Sequence, residues 1–249
     1  MKETYRFLLY NIRYGTGSGW NFHLPLPFSG YLRKTRKNVP GIMAFIKEQK
    51  PDLVGLVEVD GGSRRSEGLC QAGQLAHELD HGYIFKSKYN NSLLTRHMPL
   101  VRSQGNAFLA RDRIVSRKYH YFPRGFKQLI IEVELEGIIF FIVHLSISAK
   151  ARQDQLKQLA LLVKTREKPV VVGGDFNVFS GIQELEGFIA ATGLKSANQF
   201  NMLTFPSRNP RWELDYIFHS PEISVDNIDV PRIRLSDHLP VVCDFSLAG

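Results

Sequence analysis

The stretch Pro169-Val-Val-Val-Gly-Gly-Asp-Phe-Asn-Val178 decides how this chain folds. Its three consecutive valines are β-branched, and a short apolar run of this kind is typical of a buried β-strand. Asp175 and Asn177 follow the two glycines, where their side chains either form a hydrogen-bonded turn or carry a function. The stretch therefore predicts a strand that ends in polar groups at the edge of a sheet.

Similar runs recur along the sequence and alternate with a few amphipathic helices. Strands are predicted at Tyr5–Ile12, Asp52–Val57, Gln128–Leu135, Ile138–Leu145, Pro169–Gly173, Glu213–His219 and Pro240–Phe245. Helices are predicted near Pro40–Glu48, Leu69–Asp80, Ala149–Arg166 and Ile182–Thr192. Glu136-Gly137 joins two strands as a β-hairpin, which favours mixed sheets. Because no repeat or linker interrupts the pattern, we expect one domain over residues 1–249, a layered α/β sandwich with helices outside the sheets.

The composition is that of an ordinary globular protein. The 249 residues are 43% hydrophobic and 22% charged, which argues against disorder. No apolar run reaches the roughly 20 residues of a membrane helix, so a soluble protein without a transmembrane segment is expected. Cys70 and Cys243 are too few and too far apart for a zinc cluster or a disulfide framework, which favours a reducing compartment. No signal-peptide core is visible, so a cytoplasmic location is expected.

Positive charge exceeds negative charge, with 32 Lys and Arg against 24 Asp and Glu and a net charge of +8. This excess favours anionic partners such as nucleic acid, anionic lipid headgroups or soluble phosphates. It is concentrated in two stretches, which are Arg33, Lys34, Arg36 and Lys37, and then Arg111, Arg113, Arg117, Lys118, Arg124 and Lys127. The first stretch follows the glycine- and aromatic-rich segment Gly15–Leu32, whose length predicts a functional loop.

Polar residues stand at or near the ends of several other predicted strands. They are Asn11, Glu58, His144, Asp215, Asp237 and His238. Groups at the ends of different strands can converge at one edge of a sheet. Taken singly, Asn11 could cap a turn, Glu58 could face solvent and His144 could be a satisfied core histidine. Asp215 lies in an apolar strand, where a buried carboxylate must be paired or hydrogen-bonded, so a function is favoured there.

Six segments in this order match one pattern. They are Tyr10-Asn-Ile-Arg-Tyr-Gly, Leu53-Val-Gly-Leu-Val-Glu-Val, Val143-His-Leu, Gly173-Gly-Asp-Phe-Asn-Val, Leu214-Asp-Tyr-Ile-Phe and Leu235-Ser-Asp-His-Leu-Pro-Val. The chain resembles the endonuclease/exonuclease/phosphatase superfamily, the DNase I-like metal-dependent phosphoesterases, from about Arg6 to Phe245. The resemblance implies a four-layered α/β sandwich of two packed mixed β-sheets flanked by helices. It also implies hydrolysis of phosphoester bonds with Mg²⁺ or Mn²⁺.

The resemblance assigns a metal site. It implies that Glu58 is the principal ligand and that Asp237 and Asn11 complete the inner or outer shell. Carboxylate oxygens are the ligands that Mg²⁺ prefers, and the ion keeps several waters. Some relatives carry an acid two residues after the first Asn, whereas this chain has Arg13 there, so one ion is expected. Arg13 either binds a substrate phosphate or is a solvated loop arginine.

The resemblance also assigns the groups that act on the phosphate. It implies that Asn177 and His144 neutralise charge on the phosphate oxygens and that Asp175 holds the attacking water. His238 with Asp215 is similar to the acid–base pair of the superfamily, in which the carboxylate fixes the imidazole tautomer. Whether Asp175 or His238 takes the proton stays open at this point.

Three hypotheses cover the substrate. We favour a phosphodiesterase of nuclease type, with the basic stretches along a DNA or RNA backbone. Tyr119–Phe122 would then stack on bases or, as the structural alternative, form a half-buried strand. The second hypothesis is a phospholipid or inositol-phosphate phosphoesterase at a membrane surface, where Gly15–Lys37 would give a peripheral contact. A non-catalytic binding module is disfavoured because no expected catalytic position is lost. Oligomeric state is not encoded in these patterns.

Overall fold

The computed structural model describes residues 4–18, 35, 38–88, 103–123, 127–199 and 201–247. The described strands are β1 (Thr4–Asn11), β2 (Leu53–Asp60), β3 (Gly82–Ser87), β4 (Gln104–Ala110), β5 (Ser116–Tyr121), β6 (Leu129–Leu135), β7 (Ile138–His144), β8 (Val170–Asp175), β9 (Lys195–Ser196), β10 (Asp215–His219), β11 (Ile223–Asp229) and β12 (Val241–Leu247). The described helices are α1 (Val39–Glu48), α2 (Gln71–Leu79), α3 (Ala149–Lys164) and α4 (Glu186–Thr192). A 3-10 turn, Ile182–Leu185, leads directly into α4.

The strands form two six-stranded mixed sheets. The first sheet has the order β11-β12-β1-β2-β4-β3, and the second has the order β5-β6-β7-β8-β10-β9. Each sheet contains one central parallel pair, β1 with β2 and β7 with β8, whose outer neighbours run antiparallel. The carboxyl ends of these parallel pairs carry Asn11, Glu58, His144 and Asp175. The prediction of mixed sheets is confirmed.

Three apolar layers hold the elements together. Phe7, Phe108 and Phe140 belong to the core between the two sheets. The outer face of the first sheet packs against α1 and α2, and the outer face of the second packs against α3 and α4. On α3, the helically spaced residues Leu156, Leu159, Ala160 and Val163 are buried. Helices therefore flank two packed sheets, and the predicted four-layered sandwich is confirmed.

The two glycines of the opening stretch lie inside β8. A Cβ atom on Gly174 would stand 2.1 Å from the carbonyl oxygen of Val143, so only glycine lets β8 pair closely with β7 here. The strand therefore continues to Asp175, two residues beyond its predicted end. The hydrogen-bonded turn begins there, because the backbone N–H of Asn177 donates to Asp175 Oδ1 at 3.1 Å.

The sequence predicted a strand that ends just before Glu58, but the strand continues past it. Glu58 lies within β2, where the register against β4 shifts between Leu56 and Val59, and its φ is 57°. This is a β-bulge, a feature that redirects a side chain and is common beside active sites. The aromatic run near Tyr119 forms the half-buried strand β5, with Tyr119 and Tyr121 packed against the inter-sheet core and Phe122 buried.

Several predictions fall outside the described residues. They concern the part of Gly15–Leu32 from residue 19 onward, the basic cluster Arg33, Lys34, Arg36 and Lys37, and Arg124. Within the described ranges, every helix is too short or too polar to cross a membrane.

Candidate active site

Three of the predicted site residues lie side by side in the second sheet. His144 of β7 is in register with Asp175 of β8, and Asp175 is in register with Asp215 of β10. All three are 1% exposed. His144 Nε2 is 3.2 Å from Asp175 Oδ2. Strand pairing thus places one imidazole and two carboxylates in a single buried row.

His238 completes this row from outside the sheet. Its Nδ1 is 2.7 Å from Asp215 Oδ2, and its Nε2 is 3.7 Å from Asp175 Oδ2. Its ring packs on Phe205, with ring centroids 4.8 Å apart. The N–H of Leu239 donates to the carbonyl of Thr204 at 2.8 Å, which ties the His238 segment to the segment that carries Phe205. The predicted His238–Asp215 pair is therefore present and rigidly supported.

Burial and charge move the pKa values of this cluster in opposite senses. Burial alone would lower the pKa of His238, but the carboxylates of Asp215 and Asp175 outweigh it and raise that pKa to about 10. Burial raises the pKa of Asp175 to about 6, and the Asp215 charge adds to this effect while His238 opposes it. At neutral pH the imidazolium of His238 therefore stands beside a mostly ionised Asp175.

Two asparagines lie beside Asp175, one at the end of β1 and one just after β8. Asn11 Nδ2, at the end of β1, donates to Asp175 Oδ2 at 3.0 Å, and Asn11 Oδ1 accepts from the N–H of Arg13 at 3.1 Å. Asn177 Nδ2 donates to the carbonyl of Leu145 at 3.0 Å. Asn11 therefore orients Asp175, and Asn177 keeps one of its two side-chain N–H groups beyond that bond.

Glu58 lies beside two lysines and a histidine. Its Oε1 lies 3.9 Å from Lys127 Nζ and 3.7 Å from His144 Nδ1. Burial alone would raise the pKa of Glu58, but the positive charges of Lys88 and Lys127 outweigh it and lower the pKa. The Glu58 carboxylate is therefore held ionised, with 18% of its side chain exposed.

Asp237 lies against Arg13 and Ser236. Arg13 Nε is 3.3 Å from Asp237 Oδ2, and Ser236 Oγ is 3.2 Å from Asp237 Oδ1. Arg13 is itself buried, so it is not the solvated loop arginine of the sequence-based alternative. Ser236 Oγ also donates to the carbonyl of Asn11 at 2.7 Å, which joins this segment to the end of β1.

Backbone strain accumulates around these groups. Arg13, Tyr14, Glu58 and Asn177 have φ values of 45°, 56°, 57° and 53°. The left-handed region is uncommon for residues other than glycine, and it persists where the surrounding structure enforces it, often at functional sites.

The donor chemistry of the cleft suits a hard divalent cation. Glu58 and Asp237 offer carboxylate oxygens, which Mg²⁺ and Mn²⁺ accept. Asp175, Asp215 and His238 also form a buried group whose ligand atoms lie within 4.8 Å of one another. In that group, however, His238 Nδ1 and Asp215 are already bonded to each other. The assignment of the ion to Glu58, Asp237 and Asn11 therefore stays a prediction.

The sequence reasoning missed a buried lysine at the centre of the site. Lys88 follows β3, is 5% exposed, and places its Nζ 3.1 Å from His144 Nδ1. Burial lowers the pKa of Lys88 to about 8. Lys127, noted only as part of a basic stretch, contacts His144 Nε2. A lysine directly after a partly exposed strand resembles a solvated strand end, so only its spatial neighbours reveal it.

An aromatic wall beside His238 was also missed. Phe179 and Trp212 are 39% and 36% exposed, and both rings pack on Phe205, which touches His238. A cleft of about 470 Å³ opens here, and Arg211 is among its lining residues. Trp212 stands three residues before Asp215, so its position next to a site residue was the available signal. Four arginines in the two segments that carry Phe205 and His238 are exposed. Arg208 and Arg211 lie between Phe205 and Trp212, and Arg232 and Arg234 precede His238.

Comparison with known proteins gives a family match over most of the chain. The model of the Endonuclease/Exonuclease/phosphatase family matches residues 8–238. Among curated proteins, a UPF0294 protein of Vibrio vulnificus is 26% identical over 133 residues, which are 52% of this chain and 44% of that protein. The chain thus spans less than half the length of this curated relative.

Solved structures share the architecture. A Bacteroides thetaiotaomicron endonuclease/exonuclease/phosphatase family protein gives a TM-score of 0.72 at 17% identity, with 100% of both chains covered. A mannosyl-6-phosphatase of the same organism gives 0.68 at 18% identity, with 97% of this chain and 99% of that chain covered. The human nocturnin catalytic domain gives 0.66 at 20% identity, with 99% and 98% covered. At such identities the likeness shows the fold, and a fold does not name a substrate.

Proposed function

The chain belongs to the endonuclease/exonuclease/phosphatase family, whose members are phosphoester hydrolases, and from this premise we propose that it is a divalent-metal-dependent phosphodiesterase of the nuclease type. The observation that carries the proposal is the buried row His144–Asp175–Asp215 with His238 bonded to Asp215 at 2.7 Å. This row combines a base, an acid and an orienting carboxylate in one cleft.

Asp175 and His238 have different proton-transfer roles. Asp175, with a pKa of about 6, is mostly ionised at neutral pH and is suited to orient the attacking water and accept its proton. His238, with a pKa of about 10, is protonated and donates its Nδ1 proton to Asp215. The Nε2–H is 3.7 Å from Asp175 Oδ2, beyond a direct hydrogen bond, so it is available to the leaving oxygen. We therefore assign Asp175 as the base and His238 as the acid.

The other polar groups act on the phosphate or hold the base. Asn11 and the backbone of Asn177 both donate to Asp175 and fix its orientation. Glu58 and Asp237, with Asn11 beside them, would hold one Mg²⁺ or Mn²⁺ ion. A bound ion would supply Lewis-acid neutralisation of charge on the phosphoryl oxygens. His144 is kept neutral because burial and the neighbouring lysines lower its pKa well below the ordinary range, so it is suited to hydrogen bonding rather than to charge.

The surroundings of the acid favour a nucleic-acid substrate. Trp212 and Phe179 are partly exposed, and both pack on Phe205, whose ring packs on His238. Aromatic rings at such positions can stack on bases of any sequence. The segments that carry Phe205 and His238 also expose four arginines, which would contact backbone phosphates. They are Arg208, Arg211, Arg232 and Arg234. Because most residues of Gly15–Lys37 are not described, no described contact favours the membrane-surface alternative over this one.

A substrate panel tests the proposal. Purified protein is given single-stranded DNA, duplex DNA, RNA, a short-chain phospholipid, an inositol phosphate and a simple phosphomonoester, each with Mg²⁺, with Mn²⁺ and with excess chelator. We expect hydrolysis of at least one nucleic acid, faster than of the other substrates, and its loss in chelator. Turnover of only the lipid, inositol phosphate or monoester would overturn the nuclease assignment. Undiminished turnover in chelator would overturn the metal dependence.

A further inference from the structure

Two lysines approach one imidazole from opposite ring nitrogens. Lys88 Nζ is 3.1 Å from His144 Nδ1, and Lys127 Nζ contacts His144 Nε2. A lysine ammonium can only donate, so the ring nitrogen that binds one presents its lone pair and the ring is in its neutral form. A neutral imidazole has a single acceptor nitrogen. It can therefore accept a hydrogen bond from only one of the two ammonium groups.

The neighbouring carboxylate identifies which lysine His144 accepts. His144 Nε2 lies 3.2 Å from Asp175 Oδ2, and a carboxylate can only accept. A proton on Nε2 lies beside this carboxylate, whereas Nδ1 needs its lone pair for the hydrogen bond from Lys88, so the ring carries its proton on Nε2. Lys127 faces an N–H group, which offers its ammonium no acceptor.

Two described carboxylates lie near Lys127, namely Asp175 and the proposed metal ligand Glu58. Glu58 Oε1 is 3.9 Å from Lys127 Nζ, too far for a hydrogen bond. A divalent cation on Glu58 would occupy that carboxylate, and both oxygens of Asp175 already accept hydrogen bonds, from Asn11 and from the backbone of Asn177, so the Lys127 ammonium is left for an anion from outside. The backbone of Lys127 is fixed by Gln155, whose Nε2 donates to its carbonyl at 2.8 Å, and 20% of its side chain is exposed. The backbone of Lys127 is thus anchored, while its side chain stays partly exposed beside Glu58.

Lys88, by contrast, is enclosed. Its Nζ is 5.9 Å from the centroid of the Tyr14 ring, and the guanidinium of Arg65 lies 4.7 Å from the same centroid. Arg65 is in turn bound to the fully buried Asp60, with Nη2 2.8 Å from Oδ2. Cation–π contact and a fixed ring keep the Lys88 ammonium on Nδ1 of His144.

We propose that Lys127 is a catalytic residue that binds a non-bridging phosphoryl oxygen of the substrate, and that Lys88 is a positioning residue that holds His144 in its Nε2–H tautomer. The catalytic role of Lys127 rests on the proposed function. Its contact with a phosphoryl anion does not, because phosphate binding can be measured without turnover. A lysine ammonium is a compact donor of three hydrogens and suits a phosphoryl oxygen as a point charge.

The test for Lys127 measures binding of inorganic phosphate to the metal-free protein by calorimetry. Lys127→Gln should weaken binding about tenfold to hundredfold, the scale of one hydrogen bond to a charged group. Lys127→Arg should retain most of the affinity. Lys157→Gln, an exposed lysine on α3, is the matched control and should bind as the wild type does. In the same variants, Mg²⁺ affinity is measured separately.

The outcomes distinguish this inference from the proposed function. Wild-type phosphate affinity in Lys127→Gln, or no binding by the wild type at millimolar phosphate, would overturn it even if the protein cleaves nucleic acid. Tighter Mg²⁺ binding with unchanged phosphate binding would also overturn it, because Lys127 would then be only a counter-ion of Glu58. Lys127-dependent phosphate binding in a protein that cleaves nothing would support the phosphate contact and contradict the proposed function.

The test for Lys88 is the tautomer of His144, read from nitrogen–hydrogen correlations of the imidazole by NMR. The wild type should show the Nε2–H form, and Lys88→Met, which fills the same space without a donor, should populate the Nδ1–H form. Phosphate affinity of the metal-free protein should change much less than in Lys127→Gln, while kcat falls with KM nearly unchanged. An unaltered tautomer in a folded Lys88→Met variant would overturn the positioning role.

Discussion

Glu58 and Asp175 occupy matching places in the two sheets and have opposite electrostatic environments. Each lies at the carboxyl side of a central parallel strand pair, β1–β2 or β7–β8. The pKa of Glu58 is lowered by Lys88 and Lys127 in spite of burial, whereas the pKa of Asp175 is raised to about 6 by burial and Asp215. Equivalent positions in a repeated strand arrangement thus hold carboxylates of different chemistry.

The difference divides the cleft into two parts. On the Glu58 side, a carboxylate that stays ionised suits cation binding. On the Asp175 side, a carboxylate and an imidazolium with displaced pKa values suit proton transfer, since acid and base roles follow from environments that move pKa values apart. The lysines on His144 stand at the boundary between the two sides.

The largest effect is expected on the proton-transfer side. His238→Ala should lower kcat by about 10²–10⁴-fold, because it removes the general acid. Steady-state kinetics on the preferred nucleic-acid substrate measures it, and His77→Ala on the exposed face of α2 is the control. A variant that keeps most of the wild-type rate would mean that His238 only supports the structure, and the division of the cleft would fail.

A pH-dependent stability difference is the second way to break the comparison. In the folded protein the pKa of Asp175 is about 6, above its ordinary value of 3.8, so the folded state binds this proton more tightly than the unfolded state does. Ionised Asp175 therefore lowers the free energy of unfolding. This destabilisation is absent below pH about 4, grows until pH about 6 and reaches about 3 kcal/mol. Asp175→Asn should remove this cost, so its unfolding free energy relative to wild type should rise over that window.

Urea unfolding at several pH values, without metal, measures the difference. Asp154→Asn on α3 serves as the control for removing a carboxylate elsewhere. If the wild type instead gained stability over Asp175→Asn between pH about 4 and 6, Asp175 would resemble Glu58, and the two sides would not differ as described.

The third prediction concerns the pKa of His238. Asp215→Asn should lower it from about 10 toward its ordinary value near 6.5, because a raising charge and hydrogen bond are lost while the lowering effect of burial remains. The stability that the raised pKa contributes is complete below pH about 6.5 and is lost as pH rises through about 10, so the variant should show little of this contribution. NMR titration of the ring measures the change, and an unchanged pKa would contradict the pairing.

The smallest of the four effects is expected on the Glu58 side. Glu58→Gln should weaken Mn²⁺ binding by at least about tenfold, the scale of losing even an outer-shell partner of a metal. Electron paramagnetic resonance of free Mn²⁺ gives the affinity directly, and Glu78→Gln, on the exposed end of α2, is the control. Equal affinities in Glu58→Gln and wild type would move the ion to the Asp175–Asp215–His238 group.

Some elements were predictable from local pattern and others were not. The strands β1, β2, β6, β7, β8, β10 and β12 were predicted within a few residues because apolar side chains mark them. β4 is buried throughout but begins Gln104-Gly-Asn106, so its hydrophobic pattern is weak. β11 is an edge strand with a register shift between Val225 and Asn227, which breaks the alternation of apolar and polar residues.

By itself the sequence determined the sandwich, its mixed sheets and the polar residues at the strand ends. Hydrophobic periodicity and glycine placement are local and act within a few residues. Only the tertiary structure decided which groups meet. Lys88 and His144 are 56 positions apart, and Asn11 and Asp175 are 164 apart, yet each pair is in contact. Hydrogen bonds and pKa values depend on distance and burial after packing, and these quantities exist only once the two sheets have closed on each other.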